Sequence, residues 1–69
     1  MDKSFVLIEV IEREISTPEF FDTFEKAHGE MKERYEAASE GSCGELNDDN
    51  AWCENRNHDN CDWKIFQLA

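Results

Sequence analysis

Positive charge is scarce in this chain. Seven lysines and arginines stand against seventeen aspartates and glutamates, a formal net charge of -10. That balance excludes direct binding to nucleic acid, where cationic side chains must displace the counterions of phosphates. It excludes anionic membrane surfaces on the same ground. Long apolar runs are missing too. Phe5-Val6-Leu7-Ile8 is closed by Glu9, too short for a membrane span or the core of a signal peptide. A cytoplasmic location is therefore expected. Cysteine is limited to Cys43, Cys53 and Cys61, and an odd number fits a reducing compartment better than a disulfide scaffold. With one proline, three glycines and no repeat or linker in 69 residues, the chain reads as a single domain spanning residues 1–69 with a thin core.

The apolar fraction is only 39%, but it is concentrated rather than dispersed. Eight aromatic rings supply burial, roughly 150–250 Å² each, enough to favour a folded chain over a disordered one. Residues 4–15 predict a strand rich in β-branched side chains. Val6, Ile8 and Val10 form its unbroken apolar face, assigned here to the core. The other face carries Phe5, Leu7, Glu9, Ile11, Arg13 and Ile15. Ser16-Thr17-Pro18-Glu19 has the composition of a helix start, with a hydroxyl cap, proline in the first turn and an acid at the positive end of the dipole. The expected helix covers residues 18–39. Phe20, Phe24, Ala27, Met31, Tyr35 and Ala38 recur at helical spacing and form its apolar stripe. Gly29 inside it costs roughly 1 kcal/mol against alanine. Lysines and arginines four residues from acids (Asp22–Lys26, Lys26–Glu30, Glu30–Arg34, Lys32–Glu36) make the opposite face a solvated one.

Gly41 is the expected helix terminator, and residues 41–50 are turn formers. Short strands follow at 51–54 and 62–68, joined by the polar turn 55–60, which is rich in Asn and Asp. The fold class read from this order is α+β: a small two-layer β-α-β-β domain in which one long amphipathic helix packs on a three-stranded sheet. The helix would return the chain for a right-handed parallel crossover. The last two strands would form a hairpin, and the first and last would be neighbours.

No spacing of catalytic residues stands out. Carboxylates flank Cys53 and Cys61 (Glu54, Asp59, Asp62) and oppose thiolate formation, so a thiol nucleophile is disfavoured. Asn47-Asp48-Asp49-Asn50 lacks the alternation, glycine and terminal glutamate of a calcium loop and reads as a turn. His28 reads as a boundary residue beside the helix stripe. Cys43, Cys53, His58 and Cys61 have the right chemistry for a structural zinc site, although only His58 and Cys61 are close in sequence and the usual paired spacing is absent. Zinc is thus the one cofactor the sequence admits, and none is required. A Cys53–Cys61 disulfide is the other arrangement these cysteines allow.

Between Glu36 and Asp62 there are eight acids and one cation, Arg56, so most of the uncompensated charge lies in that segment. The chain is accordingly expected to be a non-enzymatic protein-interaction module that either self-associates or binds a basic protein. Two surfaces are candidates: an exposed apolar sheet face at Phe5, Leu7 and Ile11, and an acidic loop at Glu45, Asp48, Asp49, Glu54 and Asp59. Two alternatives follow from the same residues. One is a phage-type DNA mimic that occupies the groove of a nucleic-acid-binding enzyme; the other is a small zinc-stapled domain.

Overall fold

A computed structural model describes residues 3–39, 44–55 and 57–68. The described chain forms an antiparallel sheet of six strands with one helix against one face. The strands are β1 (Phe5–Ile11), β2 (Glu14–Ile15), β3 (Glu19–Phe21), β4 (Gly44–Leu46), β5 (Asn50–Glu54) and β6 (Asn60–Gln67), and the helix α1 is Phe24–Ser39. The sheet order is β2-β1-β6-β5-β4, and β3 pairs with the same edge of β1 as β2 does.

The β-α-β-β architecture expected above is therefore corrected: the molecule is mostly sheet, and the helix is shorter. The 4–15 strand divides at Glu12-Arg13, whose φ values of 50° and 70° turn the chain within two residues, as in a type I′ hairpin. Ile11 then pairs with Glu14, and Val10 with Ile15. Thr17-Pro18 starts no helix. Glu19–Phe21 pairs instead with the free edge of β1, Phe21 opposite Phe5 and Phe20 opposite Val6. The helix start is set by Thr23, whose Oγ1 accepts a hydrogen bond from Lys26 N (3.2 Å) while its carbonyl accepts from Ala27 N. Residues 44–46, expected as loop, form a strand paired with β5. Gly41 lies outside the described residues. No crossover is parallel: β1 and β6 are antiparallel over seven residue pairs from Phe5↔Gln67 to Ile11↔Cys61. The two pairings expected, of the last two strands and of the first with the last, are both present.

The core lies between α1 and one sheet face. Leu7, Ala27, Met31, Ala51, Cys53, Cys61, Trp63 and Ile65 are buried there, ringed by Phe5, Ile11, Phe21, Phe24, Tyr35, Ala38 and Leu46. Alternation along each strand then fixes the two faces. Leu7, opposite Ile65, faces the helix. Val6, Ile8 and Val10, opposite Phe66, Lys64 and Asp62, face away from it. This inverts the assignment made from the sequence for Ile8 and Val10; Val6, although on the outer side, is buried as expected, 6% exposed. Phe5, Leu7 and Ile11 are helix-side residues, Leu7 being 1% exposed, and so form no outer patch. Of the expected helix stripe, Ala27 and Met31 are buried and Phe24, Tyr35 and Ala38 pack around them. Phe20 belongs to β3 and the outer face. Gly29 does not break the helix and faces open space.

Arg34 secures the helix to the sheet. Its guanidinium donates to Glu30 Oε2 (2.8 Å) and to Glu19, and lies 3.6 Å from Glu9 Oε1. Glu9 also accepts hydrogen bonds from Trp63 Nε1 (2.7 Å) and Ser16 Oγ (3.0 Å). The Arg34 side chain is only 23% exposed, so this part of the helix is not the solvated face its charge pattern implied. Partial burial works to lower the Arg34 pKa. The hydrogen bond to Glu30 and the charges of Glu19 and Glu9 outweigh that and hold it above its ordinary value.

Candidate docking face on the open side of the sheet

The face of the sheet turned away from α1 is set by strand parity. Across β3, β1 and β6 one row reads Phe20, Val6, Phe66. The next reads Ile8, Lys64, Asn50, and a third reads Ile15, Val10, Asp62, Trp52, Glu45. Asn60 and Glu54 make the last row. The exposed large apolar residues of the described chain are Ile15, Phe20, Trp52, Phe66 and Leu68, from 46% exposed at Trp52 to 69% at Ile15. The four that lie in strands all belong to this face, and Leu68 continues the outward parity of β6 just beyond its end.

The face is polarised. Phe20, Ile8 and Phe66, over buried Val6, form an apolar end. At the other end the rows of Trp52 and Glu54 bring in Glu45, Asp62 and Glu54. Trp52 Nε1 donates to Glu45 Oε1 across the β4–β5 pair (3.4 Å), which ties the indole to its neighbour. Lys64, near the middle, donates to Asp49 Oδ2 (2.9 Å) and lies 5.9 Å above the Phe66 ring. That hydrogen bond holds the Asp49 carboxyl below the ordinary carboxylate value.

The expected acidic loop is thus distributed rather than gathered. Asp48 and Asp49 lie in the β4–β5 turn, closed by Asn47 N donating to Asn50 O (2.8 Å). Glu45 stands along the sheet. Glu54 ends β5, and Asp59 lies in the β5–β6 turn. In that turn the Asn55 side-chain oxygen accepts from both Asn57 N and Asp59 N (2.9 Å each), the local bonding that favours Asn in turns.

The cysteines sit on the opposite, helix-facing side. Cys53 and Cys61 are directly opposed in register and 1% exposed each. Both are free thiols. Burial pushes the Cys53 thiol up to about 11, reinforced by Cys61. Burial likewise raises Cys61, against a hydrogen bond with Cys53 that works to lower it. His58 projects from the β5–β6 turn with φ 67°. Its side chain is 84% exposed, with Nδ1 3.5 Å from Glu54 Oε1. Cys43 lies outside the described residues. Among the described residues no three His, Cys, Asp or Glu side chains are placed to hold a metal ion. His28 stacks on Phe24 at the helix boundary, ring centroids 5.8 Å apart, in the place its sequence position implied. No described helix is long and apolar enough to cross a membrane.

Sequence reasoning assigned the outer face to the wrong parity of β1 and missed Phe20, Trp52 and Phe66 as its members, while Ile15, read as water-facing, does lie on it. The alternation of Trp63 and Ile65 with Phe66 and Leu68 along the last strand is the signal available for Phe66. Searches against protein-family models, curated proteins and solved structures find no match to this chain.

Proposed function

We propose that this chain is a non-enzymatic interaction module of the cytoplasm that docks a basic protein on the open face of its sheet. The observation that carries the reading is the gathering of exposed apolar side chains there, Ile15, Phe20, Trp52 and Phe66 with Leu68 beside them. The apolar half would supply burial and the acidic half orientation, the division of labour usual at such contacts. Charge selects the kind of partner. A second copy would also carry a net charge of -10 and would bring further carboxylates toward Glu45 and Asp62, whereas a basic protein would relieve them. The thiols support a binding role over a chemical one, since buried Cys53 and Cys61 are held in the protonated, unreactive form.

The test uses the whole chain and a variant carrying Phe20→Ser and Phe66→Ser, which alters only outward residues. Proteins captured from a host lysate are identified by mass spectrometry, and each is purified and mixed with both forms. The expected result is a complex of defined stoichiometry with a basic protein, formed by the parent, weakened by salt and lost in the variant. Equal capture by parent and variant would overturn the reading. A salt-resistant dimer of the parent alone, seen by light scattering and absent in the variant, would reassign the face to self-association.

A further inference from the structure

We infer that the acidic half of the open face is a seat for one arginine or lysine side chain of the partner, received in the depression between Trp52 and Asp62. This rests on the docking role proposed above and names the chemistry it reads. The depression has a volume of about 290 Å³ and is lined by Ile8, Val10, Asn50, Trp52, Asp62 and Lys64 among others. That lies at the lower edge of the roughly 300–1,000 Å³ usual for small-molecule sites, and the hollow is open along the sheet surface. Its form suits a side chain laid along the sheet better than a whole ligand.

The lining matches a long cationic side chain in order. Ile8 and Val10 offer apolar contact to a methylene stem. The Trp52 indole lies across β6 from them, held by Glu45 through its N–H, and an aromatic face attracts a guanidinium or ammonium group. Asp62 pairs directly with Trp52 in the β5–β6 register, so a carboxylate lies across from the ring. Glu45, on the far side of Trp52, adds a second negative charge. The cation in the lining, Lys64, is compensated by Asp49. Glu12 and Arg13, one of each charge, line a neighbouring hollow that also reaches Asp62. Among the described residues Asp62 takes part in no ion pair, so its carboxylate is the group that would meet a cation placed beside the indole.

The test titrates the isotope-labelled, intact protein with three capped peptides. One alternates valine with arginine, a second valine with citrulline, and a third valine with glutamate. The amide signals of Ile8, Val10 and Asp62 and the indole signal of Trp52 report occupancy. The amide signal of Met31, buried on the helix side, serves as an internal reference. The arginine peptide should move these signals and the glutamate peptide should not. Asp62→Asn, an outward substitution, should weaken the arginine peptide about fivefold or more, and raising salt from about 50 to about 500 mM should weaken it further. Equal binding of the arginine and citrulline peptides would overturn the cationic seat while leaving an apolar docking face in place. So would unchanged binding to Asp62→Asn, or shifts that miss Trp52. No binding of any peptide would also overturn the seat, and the Phe20, Phe66 capture experiment would then decide the docking role separately.

Discussion

A Cβ placed on Gly44 would stand 2.7 Å from the Cβ of Cys53 and 2.7 Å from the carbonyl oxygen of Trp52. Neither neighbour is the free end of a flexible side chain, so β4 approaches β5 this closely only because residue 44 lacks a side chain. Gly44→Ala should destabilise the fold by about 1–3 kcal/mol through overpacking. Gly29 presents the reverse case. It lies in the middle of α1 with nothing within 4 Å of its missing Cβ, so Gly29→Ala should stabilise by about 0.5–1 kcal/mol through helix propensity and a less flexible unfolded chain. Urea denaturation of both variants checks the pair of opposite signs. The helical cost of Gly29 was legible in the sequence. The demand at Gly44 was not, because it arises from a strand partner that no local pattern identifies. Glu12 and Arg13 were equally hidden. Their left-handed backbone is normally signalled by Asn-Gly, and two long charged side chains give no such sign.

At the level of elements, the helix depends on Arg34 more than on its surface pairs. Arg34→Ala would leave Glu9 half-buried beside Trp63 without its cation and release Glu19 of β3. The expected loss is about 1–3 kcal/mol, below that of a fully buried pair because solvent still reaches the site. Lys26→Ala, whose side chain is 65% exposed in its pair with Asp22, should change stability by no more than about 0.5 kcal/mol. Thermal unfolding of the two variants separates these roles. Spacing alone showed the helix stripe from Phe24 to Ala38 and the last two strands, but not β4. The first turn was misread because Thr17-Pro18-Glu19 and Thr23 are both plausible starts. Only the chance for Phe20 and Phe21 to pair with β1 decides between them, and pairing is a tertiary event. The face of β1 was misread for a related reason. Both of its faces are apolar, and Glu9, which makes one face seem polar, is drawn inward by Trp63 and Arg34.

For the molecule as a whole, thiol ionisation predicts an alkaline limit. In the unfolded chain Cys53 loses its proton near 9.0, and in the folded state only near about 11. Between those values the folded state binds more protons, so stability falls as pH rises through that window. Cys61, raised in the same direction, adds to the slope. Denaturation midpoints measured from pH 8 to pH 11 should decline less steeply in Cys53→Ala than in the parent. An unchanged slope would mean that the thiols do not govern alkaline unfolding. The net acidity and the existence of an apolar surface were open to sequence reasoning, whereas the state of Cys53 and Cys61, free thiols here, was left between thiol, zinc ligand and disulfide. The side of the sheet that bears the surface was not, because parity acquires a direction only once a helix covers one face.

The place of β6 has a consequence for how the molecule comes into being. It is the last of the six strands in chain order, yet it lies between β1 and β5 at the centre of the sheet. Before it arrives, β1 and β5 have no common neighbour and Leu7, Ala51 and Met31 have no floor of Trp63 and Ile65 to settle on. Partial structures therefore gain little, and native order must condense late and together around contacts distant in sequence. A nascent chain lacking residues 60–67 would hold unpaired strand edges and bare aromatic rings, the state most open to proteolysis and aggregation.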